Sequence, residues 1–208
     1  IPEGFNVWEI DKKLTQAKLT KTGDFAKIFY SKSGYIFPDT YNFDPSSTVQ
    51  QIGQRMLDNF DTKVGRYNKQ DIIIASMLEK ETKEEKDMRL VAGIIKKRMD
   101  KGMLLQIDAT VGYGWCLKRF EANPNRLCDV TQAPIAAEIK GDGVFNTYKH
   151  LSLPPAPISN PGLKAIRAAQ NPATNDYLYY LSTRDGSQII YSKTLAEHES
   201  NRRKYLGL

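Results

Sequence analysis

The sequence predicts an α+β fold: a mostly helical N-terminal lobe over residues 1–68, then a second domain over 69–208 that carries a small antiparallel sheet. Two observations predict it. Apolar residues recur at helical spacing through most of the chain. Two short β-rich runs, Tyr177–Leu181 and Gln188–Tyr191, flank an Asp185-Gly186 turn, the pattern of a hairpin.

The elements follow in order. Pro2-Glu3-Gly4 reads as a turn, and Val7 to Lys18 as a short amphipathic helix. Phe37-Pro38-Asp39 breaks an aromatic segment running from Tyr35 to Phe43. Ser46-Ser47-Thr48 offers caps for a helix over Val49 to Phe60. Asp71 reads as the cap of a helix reaching about Thr82 (through Ile72-Ile73-Ile74), and Glu84 to Asp100 as the next, with Gly102 at the stop. Residues 103–113 read as extended, because Thr110, Val111 and Tyr113 favour strand. The proline-rich stretch 154–161 is irregular. Asn160-Pro161 resembles a cap and first turn for a helix to about Gln170. A charged helix over Leu195 to Tyr205 closes the chain.

Composition narrows the function classes. The chain has 208 residues with 40% hydrophobic content, enough for one sizeable core or two lobes. No apolar run approaches the roughly 20 residues that span a bilayer. The chain starts at Ile1 rather than Met, so a signal or anchor would belong to a longer protein. Net charge +6 suits an acidic polymer, a nucleic acid or plain solubility. The basic residues are scattered and form no nucleic-acid motif, which argues against nucleic acid. Cys116 and Cys128 fit no metal spacing; they leave open a pair across a short loop or two unpaired small hydrophobes. With His150 and His198 the only histidines, no metal site is expected, and no cofactor.

One carboxylate stands out by helical geometry. At about 100° per residue, with Ile73 at 0°, the residues Ile74, Met77 and Leu78 fall near 100°, 40° and 140°. Glu81 falls at about 80°, inside that apolar stripe, and Glu79 at about 240°, opposite. Glu79 should then be solvated or support the fold from outside. A carboxylate at Glu81 must neutralise, pair or face a cleft. Partial desolvation would raise its pKa toward that of a general acid. Geometry alone equally admits a frayed helix end, or a pair with Arg89 or Arg98.

Ile74-Ala75-Ser76-Met77-Leu78-Glu79-Lys80-Glu81-Thr82 resembles the EKET helix of the endolytic murein transglycosylases, the MltG or YceG-like family. Further segments are similar in the same order. They include Pro2-Glu3-Gly4, Gly34-Tyr35, Phe37-Pro38-Asp39-Thr40-Tyr41 and Leu90-Val91-Ala92-Gly93. Leu105-Gln106 with Asp108, Asn146-Thr147-Tyr148, Asn160-Pro161-Gly162, Asn171-Pro172-Ala173 and Ser192 through His198 continue it. The departures are Ser33, where relatives carry a glutamate, Ala109 in the segment after Gln106, and the loop 114–142.

The resemblance implies a YceG-like catalytic domain over 69–208, with a lysozyme-like helix-end glutamate. It implies Glu81 as the acid/base, with Thr82 where other lytic transglycosylases carry serine. The reaction implied is non-hydrolytic cleavage of the β-1,4 bond between N-acetylmuramic acid and N-acetylglucosamine, leaving 1,6-anhydro ends. Gln106, Asp108, Asn146 and Tyr148 are the candidate substrate-binding residues; Asn146 and Tyr148 pinning a turn, or Asp108 capping a helix, is the alternative. A lysozyme-type hydrolase and a non-catalytic glycan-binding module are the rival readings. Tyr35, Phe37 and Tyr41 could stack on sugars or pack between lobes. Peptidoglycan strands are the implied partner, with peptidoglycan synthases beside them. The implied location is the cell envelope, on the periplasmic side of the inner membrane. The family's membrane anchor and small LysM-like region are expected only in the full-length protein.

Overall fold

The computed structural model describes residues 1–207. Helix α1 (Val7–Gln16) starts at a capping box: Asn6 accepts from the Glu9 N–H, and the Glu9 carboxylate accepts from the Asn6 N–H. It stops short of the expected Lys18 because Lys18 turns left-handed, at φ 59. Helix α2 (Asp24–Phe29) is invisible to the sequence pattern. Its cap comes from elsewhere: Asp11, buried on α1, accepts from the N–H groups of Gly23 and Ala26. A 3₁₀ turn (Tyr30–Lys32) follows.

Helix α3 (Val49–Val64) starts at the Thr48–Gln51 capping box and runs past the expected Phe60. Helix α4 (Lys69–Glu81) starts earlier than predicted. Asn68 is the cap, and Asp71 is its reciprocal partner rather than the cap itself. Helix α5 (Glu85–Asp100) matches expectation, with Gly102 at φ 63 just beyond its end.

Residues 103–113 correct the reading most. They form no strand: 103–107 are irregular, and helix α6 (Asp108–Ala122) then begins. Thr110, Val111 and Tyr113 are helical because burial outweighs their strand preference. The Thr110 hydroxyl donates to the Ile107 carbonyl and lies 3.0 Å from the Thr147 hydroxyl. Cys116 and Cys128 form a disulfide across the loop after α6, which answers the question their spacing left open. A 3₁₀ turn (Val130–Gln132) and a single helical turn, α7 (Ile135–Glu138), follow.

Helix α8 (Leu163–Gln170) is capped by Gly162, not by Asn160. Asn160 is fully buried and ties three segments together. Its side-chain oxygen accepts from the N–H groups of Gly34 and Ile36, and its amide donates to the Phe5 carbonyl. Strands β1 (Tyr179–Ser182) and β2 (Ile189–Ser192) form the predicted hairpin, with Tyr180 opposite Tyr191. Helix α9 (Leu195–Leu206) closes the described chain.

Helix α4 is the axis of the fold. Every residue from Asp71 to Leu78 is buried, so the helix is covered on all sides. It packs chiefly on α8 and α5. Its side chains join one continuous buried cluster that includes Trp8, Phe25, Met56 and Phe60 as well as Val91, Tyr113 and Ile166. Each such side chain contributes about 1.5–3 kcal/mol when fully buried. Tyr35, Phe37 and Tyr41 pack here: Tyr35 on Phe60 and Tyr67, Phe37 on Phe60, and Tyr41 on Phe43. The prolines of 154–161 lie along α4, where the Ile158 N–H donates to Ser76 and the Ser159 hydroxyl donates to the Ser76 carbonyl. The packing around α4 sets where its last turn emerges.

Candidate active site

That last turn ends at Glu81. Thr82 is extended (φ −159), so the helix stops cleanly and the glutamate projects from its end. It enters a cleft of about 680 Å³ walled by the loop Leu105–Asp108, by Tyr148, by β1 and by α9. Burial pushes the Glu81 carboxyl up to about 7, and the nearby charge of Asp108 adds to the rise; the Tyr180 hydroxyl, which binds the ionised form, opposes it. A group poised there can give a proton and take one back near neutral pH. The Tyr180 phenol, itself desolvated and facing Glu81, is held well above its ordinary range and remains a donor.

Arg89 and Arg98, the two cations a bland reading would pair with Glu81, are engaged elsewhere. Arg89 donates to the Asn171 carbonyl. Arg98 is buried and donates to the carbonyls of Leu178, Leu104 and Leu105 at 2.7, 3.1 and 2.8 Å. Its guanidinium lies 4.9 Å from the centre of the Tyr179 ring. Arg98 therefore staples the hairpin to the loop that carries Gln106 and Asp108, and so sets the width of the cleft.

Three of the four predicted binding residues meet there. Asp108 is the first residue of α6, and its carboxylate accepts the Tyr148 hydroxyl at 2.5 Å. Burial, then this hydrogen bond, raise the Tyr148 pKa, so the phenol stays protonated. Gln106 is exposed in the cleft with its backbone left-handed, at φ 56. For a non-glycine residue that conformation costs of order 1 kcal/mol. It persists because the Gln106 N–H donates to the Thr147 carbonyl and the Ile107 N–H to the Thr147 hydroxyl. Asn146 is apart. It is buried outside the cleft, its amide donates to the carbonyls of Glu138, Ile139 and Gly141, and its oxygen accepts from the Tyr148 N–H. Its reach to the cleft is through Tyr148.

Sequence reasoning missed Tyr179, Tyr180, His198 and Arg202, all of which line the cleft. The hairpin signal located the tyrosines but not the surface they face. His198 stacks on Tyr179 with ring centres 5.3 Å apart, and burial together with Arg202 and Arg98 lowers its pKa. A neutral imidazole is the result at neutral pH. Leu195, His198, Arg202 and Leu206 recur at helical spacing on α9, so that helix turns one whole face to the cleft.

Glu79 is only partly exposed. Its carboxylate accepts from the Gly162 N–H at 2.9 Å; burial, with Glu3 nearby, raises its pKa. It supports the fold from within rather than from outside.

A model of the YceG-like family matches residues 1–204. A protein of Bacillus subtilis (strain 168) named endolytic murein transglycosylase is 32% identical over 191 residues, covering 86% of this chain and 49% of the relative. One of the same name from Streptococcus pneumoniae serotype 2 is 28% identical over 182 residues, covering 83% of this chain and 32% of the relative. The chain thus spans about half and about a third of these relatives' lengths. A crystal structure of a YceG-like protein from Listeria monocytogenes superposes with a TM-score of 0.72 at 29% identity, covering 97% of this chain and 74% of that one.

Proposed function

The chain belongs to the YceG-like family, and on that premise we propose that it is an endolytic peptidoglycan lytic transglycosylase. It cuts the N-acetylmuramic acid-β-1,4-N-acetylglucosamine bond without hydrolysis. The observation that carries the reading is the placement of Glu81 at the wall of the cleft of about 680 Å³, with its carboxyl pushed up to about 7.

In the first step protonated Glu81 gives its proton to the bridging oxygen as the bond from that oxygen to the muramoyl C1 breaks. The substrate's own N-acetyl oxygen shields the charge that develops at C1. Ionised Glu81 then removes the proton from the muramoyl O6 hydroxyl, and the O6–C1 bond closes the 1,6-anhydro ring. Glu81 is back in its acid form and no water has been consumed. Intramolecular attack supplies the nucleophile at high effective concentration. Tyr180 steadies the ionised carboxylate between the steps. Gln106, Asp108 and Tyr148 bind hydroxyl and N-acetyl groups, and Asn146 positions Tyr148. Catalysis falls to residues 69–208, and residues 1–68 complete the core around α4.

The setting is the bacterial cell envelope, on the periplasmic side of the inner membrane, with peptidoglycan synthases as neighbours and an anchor in the full-length protein. No helix among the described residues is long and apolar enough to cross a membrane.

Product analysis on purified sacculi tests the reading: wild type should release 1,6-anhydromuropeptides and Glu81→Gln none. Full activity of the variant would remove Glu81 from the mechanism. A hydrolytic reading draws on Asp108, whose charge reaches Glu81 and which could orient a water. It requires products heavier by one water, which mass spectrometry separates from the anhydro form.

A further inference from the structure

Asp108 lines two cavities. One is the cleft of Glu81; the other, of about 310 Å³, opens on its far side. Consecutive residues divide between them. Glu81 lines the first and Lys80 the second; Ile107 lines the first and Ala109 the second. The turn α7 runs along both, with Ile135 at the second cavity and Ile139 at the first, about 6 Å apart along the helix axis. The two hollows therefore adjoin at Asp108, beside the end of α4.

We propose that the second cavity is a binding subsite for the peptidoglycan glycan strand, holding sugars beyond those around the bond that Glu81 cleaves. This deepens the transglycosylase reading and rests on it. The chemistry fits an N-acetylated sugar. Ile135, Ile158, Ala109, Ala133 and Val130 offer an apolar bed for a pyranose face or an acetyl methyl. Its rim carries the Glu9–Lys80 pair, Thr131 and Asp108 for hydroxyl and amide groups. Lys80 meets Glu9 loosely, at 3.5 Å, and keeps ammonium protons for a ligand. At the base, Asn6 is 1% exposed and its amide nitrogen has no hydrogen-bond partner among the described residues. That is the polar group a ligand carbonyl could satisfy. The occupant is the continuing strand because the cavity shares the Asp108 wall with the cleft, and an endo-acting enzyme must accept polymer on both sides of the cut.

The test is binding by the Glu81→Gln protein, which should hold strands without cutting them. Purified uncross-linked tetrasaccharide and octasaccharide strands are titrated by calorimetry. The octasaccharide should bind about tenfold tighter. Filling the cavity with Thr131→Trp, at an exposed position, should bring that ratio near one. Ala133→Trp serves as a second filler, and thermal melting verifies both folds. Equal affinity for the two lengths in the parent, or a preference for length that survives both fillers, overturns the subsite. Failure of wild type to release anhydro products would overturn the transglycosylase reading instead, and the binding ratio would still decide the subsite.

Discussion

Glu79 and Glu81 stand two residues apart at the end of one helix, and their surroundings share almost nothing. Around Glu79 three segments close on each other. The Gly162 N–H is held at 2.9 Å, and Gly4 (φ +75) comes so near that an added Cβ would lie 3.2 Å from the Glu79 Cβ. Around Glu81 the chain opens into a cleft lined by phenols, an amide and cations. Burial raises both carboxyls. The shift therefore does not separate the two roles proposed for them. Both side chains are partly exposed, and the difference is what they face: one carboxylate is taken up by a backbone N–H, the other lines a space large enough for a sugar.

The sharpest test of that contrast is activity. Glu81→Gln should cut kcat by about 10²–10⁴ or more, whereas Glu79→Gln should keep near wild-type turnover per folded molecule. Equal losses in muropeptide release from the two variants would break the comparison. Stability should reverse the order. Glu79→Ala strands the Gly162 N–H in the interior and should cost about 1–3 kcal/mol by urea unfolding. Glu79→Gln, which keeps an acceptor oxygen, should cost less.

A third test uses pH. Glu81 binds its proton more tightly folded than unfolded. Between about 4.5 and about 7 the folded chain thus holds more proton, and stability falls as pH rises through that window. Glu81→Gln should flatten part of this slope and raise the melting temperature at pH 8 but not at pH 4. The slope that remains includes the contribution of Glu79, whose pKa is raised in the same direction. The smallest effect belongs to Tyr180→Phe. Losing a donor that favours ionised Glu81 should move the alkaline limb of kcat/KM to higher pH, read from a pH–rate profile. An unmoved limb would mean that Tyr180 only shapes the wall.

Local signals carried far along this chain. The Thr48 cap, the Gly102 stop and the Asp185-Gly186 hairpin each follow from a few neighbouring residues, and each appears where its chemistry put it. Prediction failed where the partner was distant. Helix α2 is capped by Asp11 from another helix, and Asn160 bonds Gly34 and Ile36 instead of starting α8. Thr110 and Val111 look like strand residues until burial and Thr147 hold them in a helix. Glu81, on the apolar stripe by helical count, does line the cleft, although that stripe is only part of a wider buried surface. Residues 71–78 are buried all round, so there is no single apolar face to be on.

The sequence alone determined the family, the helical axis ending in Glu79-Lys80-Glu81, and the hairpin, because caps, periodicity and ordered motifs are written in adjacent residues. Only the tertiary structure decided that Tyr180, Arg98 and His198 line the cleft with Glu81, and that Asn146 lies outside it, joined to Tyr148. Those outcomes depend on contacts between residues as far apart as Arg98 and Leu178. Spacing along a chain cannot encode such contacts, since they form only when the core has closed.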